Sequence, residues 1–187
     1  GIQPGICHCA NSAATLEHPE YHLDMARSGI TAYGYYPDGK PKSYFEARGE
    51  KIDLRPVMSL CTKVVALRKL NKGMSVSYGH TWTAPEDTCI GVLPVGYADG
   101  LLRRFAPYLQ VAVEGKTYPI RGRICMDQCM IELGTNGIPP RWSEAVLFGS
   151  REKGAAIDAQ ALADATGTIS YEVTSAIGKR VPRLYIE

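Results

Sequence analysis

Two tyrosines offer the chemistry in this chain. Tyr78 stands in Val76-Ser77-Tyr78-Gly79-His80 and Tyr97 in Gly96-Tyr97-Ala98-Asp99-Gly100, each beside a glycine at the end of an apolar run. Glycine lets the backbone turn sharply or approach another group closely, so a neighbouring tyrosine can be aimed out of a strand and into a cleft. A phenol works as an acid or base only where its pKa of about 10 is drawn toward working pH. The same pattern also fits ordinary strand tyrosines. A second set of residues lies near the start. His8 and Ala10 belong to a short apolar run, expected to be a buried strand over 6–10, that leads into Asn11-Ser12-Ala13-Ala14. This reads as a strand-to-helix turn with Asn11 or Ser12 as the N-cap. Ser12 can be a plain cap, or it can offer its hydroxyl and N–H to an anion such as phosphate. Gly29-Ile30 could form a second anion-binding turn, with Arg27 beside it either serving that anion or standing as a surface charge.

The rest of the composition narrows the class. With 187 residues, 45% of them hydrophobic and 21% charged, the chain suits one globular domain, or one domain and a piece of another. A net charge of +2 with scattered basic residues argues against a nucleic-acid partner. No apolar run approaches the roughly 20 residues that span a bilayer, and no signal peptide is visible, so no membrane is expected for this stretch. The chain opens on Gly1 and its first residues read like the middle of an element, so a fragment or a processed piece is expected. Six cysteines, Cys7, Cys9, Cys61, Cys89, Cys125 and Cys129, share no metal-ligand spacing with the four histidines. They are expected to be buried, reduced thiols of a cytoplasmic protein without a metal site.

The positioning elements follow from the turn signals. Residues 36–54 are polar and carry Pro37, Gly39, Pro41 and Gly49. They read as a loop-like connection, which divides the chain into domains 1–50 and 51–187. Short strands are expected at 57–60, 63–67, 74–77, 90–93, 109–113, 117–120, 129–133 and 145–148. Turns at Asn71-Lys72-Gly73 and Glu114-Gly115-Lys116 make hairpins between them, and the whole reads as a compact antiparallel β-domain or barrel. Beyond it, Asp158 caps a helix over 159–166 stopped by Gly167, and Ser170 caps a helix over 171–177 stopped by Gly178. A final strand is expected over 183–186.

Several motifs in this order resemble the C-terminal half of alanine racemases. They are His8-x-Ala10-Asn11-Ser12-Ala13, Arg27-x-Gly29-Ile30-x-x-Tyr33-Gly34, Val76-Ser77-Tyr78-Gly79, Gly96-Tyr97-Ala98-Asp99-Gly100 with Arg103-Arg104, Gly122-Arg123-Ile124-Cys125-Met126-Asp127-Gln128, and Tyr171-Glu172-Val173. The resemblance implies a mainly β fold. An antiparallel β-domain or barrel would follow a short N-terminal remnant of a (β/α)8 barrel that binds pyridoxal 5′-phosphate (PLP), with short helices at the C-terminus. It also implies a head-to-tail homodimer with shared active sites, interconverting L-alanine and D-alanine for peptidoglycan precursor synthesis.

Roles follow motif by motif. Tyr78 resembles the catalytic tyrosine that exchanges the Cα proton on the L-alanine side. Ser12, Gly29, Ile30 and Tyr171 resemble the groups that hold the PLP phosphate, Arg27 the arginine facing the pyridine nitrogen, and His8 the histidine behind it. Met126 resembles the residue whose backbone N–H helps hold the substrate carboxylate. Tyr97 resembles a gate tyrosine, and Arg123 and Asp127 parts of the access corridor. An arginine at Arg27 suits the reaction, because a guanidinium does not give up its proton and a pyridine nitrogen opposite it would stay unprotonated. That favours return of the proton to Cα over transamination.

The departure from the family is the PLP lysine. None of the chain's lysines, from Lys40 to Lys179, stands in the family's lysine motif, so half a catalytic site is expected, inactive by itself. A racemase of serine or another small amino acid would share fold and cofactor, although a phenol at Tyr171 leaves little room for a hydroxymethyl group. A non-catalytic dimerisation module is the other alternative.

Overall fold

The computed structural model of the protein describes residues 3–186; Gly1, Ile2 and Glu187 lie outside them. The chain divides into two compact units, Gly1–Val57 and Met58–Glu187.

In the first unit, the segment before Ser12 is extended and lies beside a second extended segment. Asp24 N–H donates to the Cys7 carbonyl at 3.1 Å and Arg27 N–H to the Ala10 carbonyl at 2.9 Å. The buried strand expected over 6–10 is not found: Ile6 is 73% exposed, Cys9 is exposed, and only Ala10 is buried. One neighbouring segment satisfies one edge of an extended chain and covers neither face. α1 spans Ser12–Glu17, with Asn11 as its cap: the Asn11 side chain accepts from the Ala14 N–H at 3.0 Å. The 36–54 stretch contains a helix rather than only loop. α2, Lys42–Ala47, buries Phe45 completely, with the rings of Tyr36 and Tyr44 packed on it at 5.5 and 5.1 Å. Three aromatics within ten positions supply the apolar face that the prolines and glycines around them hide. Lys40 pairs with the largely covered Glu17 at 2.7 Å, and this hydrogen bond, more than any other cause, lowers the Glu17 pKa.

Among the described residues the second unit holds nine strands: β1 Leu60–Lys63, β2 Ala66–Leu70, β3 Ser75–Val76, β4 Trp82–Thr83, β5 Thr88–Leu93, β6 Gln110–Val113, β7 Lys116–Pro119, β8 Cys129–Gly134 and β9 Glu144–Phe148. All pairings are antiparallel, in sheets ordered β1-β9-β6-β7, β2-β5-β8 and β3-β4. A bridge between Ile120 and Ile131 ties the first sheet to the second. The chain passes from the first sheet to the second at Val64 and Val65: Val64 donates to the Ser143 carbonyl and accepts from Trp142 N–H, next to β9, and Val65 N–H donates to the Val92 carbonyl on β5. This is the mainly β, antiparallel architecture the turn signals predict. The β6–β7 hairpin closes through Glu114 and Gly115, both with positive φ (49° and 73°), a two-residue turn whose twist matches the strands it joins. β9 is buried at every position after Glu144 and β5 at every position but Val92, because both are central strands covered on each face. Leu93, Ile131, Leu147 and Phe148 fill the core between them.

At the C-terminal end, α3 spans Ala159–Thr166, capped by Asp158 and ended by Gly167 at φ 69°. α4 spans Ser170–Ser175, and here the expected cap is corrected. The N-cap is Ile169, while Ser170 is the buried first residue of the helix, with its carbonyl accepting from Thr174 Oγ1. The last strand expected over 183–186 does not form, and Leu184 and Tyr185 are 86% and 95% exposed. The carbonyls it approaches, those of Ile177, Gly178 and Val181, are taken by the Arg183 guanidinium. The cysteines also split from expectation. All six are free thiols, but only Cys89, Cys125 and Cys129 are buried. Burial pushes the Cys129 thiol up to about 12.

Candidate active site

In the first unit the fold brings Ser12, Gly29 and Ile30 together. The Ser12 hydroxyl oxygen accepts from Gly29 N–H at 2.9 Å and from the Thr31 hydroxyl at 3.3 Å. Its own proton is thereby left for an outside acceptor. The Ile30 N–H donates to no group among the described residues. A nearly buried hydroxyl and an unengaged N–H within one turn suit an oxyanion. Arg27 is exposed, its backbone bonded to Ala10 and its guanidinium 3.5 Å from the Cys9 carbonyl. His8 is exposed on the extended segment alongside.

In the second unit two tyrosine-bearing turns stand out. Tyr78 leaves β3 on a turn with three positive φ values, Ser77 at 65°, Gly79 at 74° and His80 at 47°, and its side chain is 72% exposed. The Ser77 hydroxyl donates to the Arg123 carbonyl at 2.7 Å. The Arg123 guanidinium lies against Gly79, with Nη1 3.2 Å from where a Cβ would stand. Arg123 and Tyr78 are thus neighbours, although the sequence sets them far apart.

Tyr97 begins a turn closed by Asp99, whose carboxylate accepts from Gly96 N–H at 2.8 Å. Tyr97 N–H donates to the Cys125 carbonyl and Ala98 N–H to the Met126 carbonyl, each at 3.0 Å, so the turn is zipped to the segment bearing Met126 and Asp127. The Met126 N–H donates to no group among the described residues, and the side chain is exposed. Arg180 joins the two carboxylates, with Nε 2.7 Å from Asp99 and Nη2 2.7 Å from Asp127. Burial raises the Asp99 pKa, but the Arg180 and Gly96 hydrogen bonds and the Arg180 charge outweigh it, and the carboxyl ends below its usual range. Tyr171 lies on α4. The segment that follows this helix packs on the same turn: Gly178 N–H donates to the Asp99 carbonyl, and the Ala176 carbonyl sits where a Cβ of Gly100 would be.

The sequence reading assigned no role to Ser77, Asp99 or Arg180. Ser77 and Asp99 stood inside quoted motifs. Arg180 gave no local signal, because its partners are 81 and 53 residues away. Among the described residues, no group of His, Cys, Asp and Glu could hold a metal ion, and no helix is long and apolar enough to cross a membrane.

Residues 57–185 match the family model of the alanine racemase C-terminal domain, and residues 1–37 that of the N-terminal domain. Alanine racemase of Treponema denticola is 47% identical over the whole chain, and that of Treponema pallidum 45%. The chain spans about half the length of these curated relatives, 48% in both cases. Among solved structures, alanine racemase from Streptomyces coelicolor aligns at TM-score 0.82 and 41% identity, covering all of this chain and 47% of that one. The Bacillus anthracis enzyme with bound L-Ala-P aligns at TM-score 0.86 and 36% identity, over all of this chain and 46% of that one.

Proposed function

The chain belongs to the alanine racemase family, and from that premise we propose that it forms the C-terminal part of a PLP-dependent enzyme interconverting L- and D-alanine for peptidoglycan precursors. In this reading residues 1–50 end the PLP-binding barrel, residues 51–187 are the β-domain, and two copies meet head to tail to complete each site. The observation that carries it is the Tyr78 turn: a phenol held out in solvent by a backbone in three left-handed conformations. Local strain of this kind collects at functional sites.

PLP, when bound, disperses the negative charge left on the amino acid's Cα as its proton departs. The groups present fit that cofactor. Ser12 and Ile30 offer an unengaged hydroxyl proton and N–H to its phosphate, with Gly29 fixing the turn between them. Tyr171 would add a phenol to that phosphate. Arg27 would serve its pyridine nitrogen and, because a guanidinium keeps its own proton, would leave that nitrogen unprotonated, with His8 in support of Arg27. The Met126 N–H would help hold the substrate carboxylate, and Arg123, Asp127 and Tyr97 would line the way in. Tyr78 carries the proton on the L-alanine face, and a lysine from the family's barrel motif carries it on the other face and anchors the cofactor.

The test uses the intact protein and the 187-residue chain side by side. The intact protein, purified with PLP, should racemise L-alanine well ahead of L-serine, followed by optical rotation. The 187-residue chain alone, treated with PLP and borohydride, should show no lysine adduct by mass spectrometry. Equal turnover of serine would move the substrate assignment, and an adduct on Lys40 or any other lysine of this chain would overturn the division of labour.

A further inference from the structure

We infer that Ser77 is a positioning residue for Tyr78, holding its turn in a backbone conformation that serine by itself disfavours; this rests on the proposed role of Tyr78. Ser77 has φ 65° and ψ 175°, a region essentially reserved for glycine. A side chain there persists only if its surroundings over-determine it. The surroundings are on one segment. The Ser77 hydroxyl donates to the Arg123 carbonyl at 2.7 Å, and the Cys125 thiol, 3.5 Å from the same hydroxyl, completes the contact. Gly122 makes room: a Cβ there would stand 2.7 Å from the Ser77 Cβ and 3.0 Å from the Val76 carbonyl oxygen. Gly122 itself sits at φ 72°, so glycine is required there for two reasons. The hydroxyl therefore latches the Tyr78 turn to the Gly122–Cys125 segment, the one that also supplies the Arg123 guanidinium beside Gly79 and leads into Met126.

The inference predicts an unusual order of substitutions. Alanine removes the latch and keeps the strain, so the turn should relax and carry Tyr78 away. Glycine removes the latch and the strain together, so the observed backbone remains open to it. Ser77→Ala should therefore be worse than Ser77→Gly, the reverse of what loss of packing alone would give. In the intact protein, Ser77→Ala should slow exchange of the L-alanine Cα proton with solvent by about a hundred-fold, the scale of a misplacement near 1 Å. Exchange from D-alanine should fall much less, and Ser77→Gly should recover most of the loss. Independently of turnover, the backbone amide resonances of Tyr78, Gly79 and His80 should shift and broaden in Ser77→Ala, and the melting temperature of Ser77→Gly should lie above that of Ser77→Ala. Tyr78→Phe is measured in parallel. If Tyr78→Phe abolishes exchange from L-alanine while Ser77→Ala leaves it and the three resonances unchanged, the positioning role is overturned and the role of Tyr78 stands. If Tyr78→Phe is silent, the catalytic reading fails, while the resonances and melting order still decide whether Ser77 holds the turn.

Discussion

Tyr78 and Tyr97 both leave the sheet beside a glycine, yet their turns are held by different means. The Tyr97 turn is bonded along its length. Asp99 closes it onto Gly96, Cys125 and Met126 accept its N–H groups, Arg180 braces its carboxylate, and Gly178 donates to it from behind. Its backbone is relaxed everywhere but Gly100, a glycine at φ 103°. The Tyr78 turn has three positive φ values, two of them not at glycine, and the Ser77 hydroxyl as its side-chain anchor. The first arrangement is that of a part whose position is fixed by many groups. The second keeps a phenol exposed at the cost of local strain, and under the proposed role of Tyr78 it places function and fragility on the same four residues.

The largest expected effect is chemical. Tyr78→Phe in the intact protein should keep PLP loading, measured by cofactor absorbance, and lose racemisation by about a hundred- to ten-thousand-fold, the usual contribution of one acid–base group. D-alanine should still exchange its Cα proton and L-alanine should not. Near-normal exchange from both enantiomers would erase the distinction between the two turns and leave Tyr97 as the next candidate.

The next effects are on stability, and they separate rigid from yielding surroundings. Gly100→Ala would drive a methyl to 2.2 Å from the Ala176 carbonyl oxygen in a left-handed conformation, so a loss of about 3–5 kcal/mol is expected from denaturant melts. Asp99→Asn should cost about 1–2 kcal/mol at neutral pH by removing the charged half of the Arg180 pair. It should also change the acid limb. The folded Asp99 carboxyl titrates below its ordinary value, so its contribution is present above about pH 4 and is lost as pH falls through the lowered value. The parent should therefore lose stability there and the variant much less; parallel acid curves would remove Asp99 as the brace. Gly79→Ala should be as mild as Asp99→Asn, about 1–2 kcal/mol, because its methyl meets only the far end of the Arg123 side chain and the remaining cost is the positive φ.

Local grammar made much of this molecule legible. Turn residues at Asn71-Lys72-Gly73 and Glu114-Gly115, and alternation or continuity of apolar residues, mark the strands within a few positions, since period and turn chemistry are properties of neighbouring residues. The same is true of Asp158 and Gly167, which bound α3 as expected. The failures are of two kinds. α2 is hidden in the sequence because Phe45 becomes core only once Tyr36 and Tyr44 fold over it, and 6–10 and 183–186 resemble strands because a β-prone sequence does not state whether a partner will pair with it.

The sequence by itself determined the family and the places of most strands, turns and polar groups along the chain, because these reside in residue types at fixed spacings. Tertiary structure alone decided which of those groups meet. That Arg180 joins Asp99 to Asp127, and that Ser77 reaches the Arg123 carbonyl 46 residues away, depends on closing long loops, and no local propensity encodes such pairings. The exposure of Tyr78 belongs to the same class, since a left-handed Ser77 is stable only where a distant carbonyl and a distant glycine are brought to it.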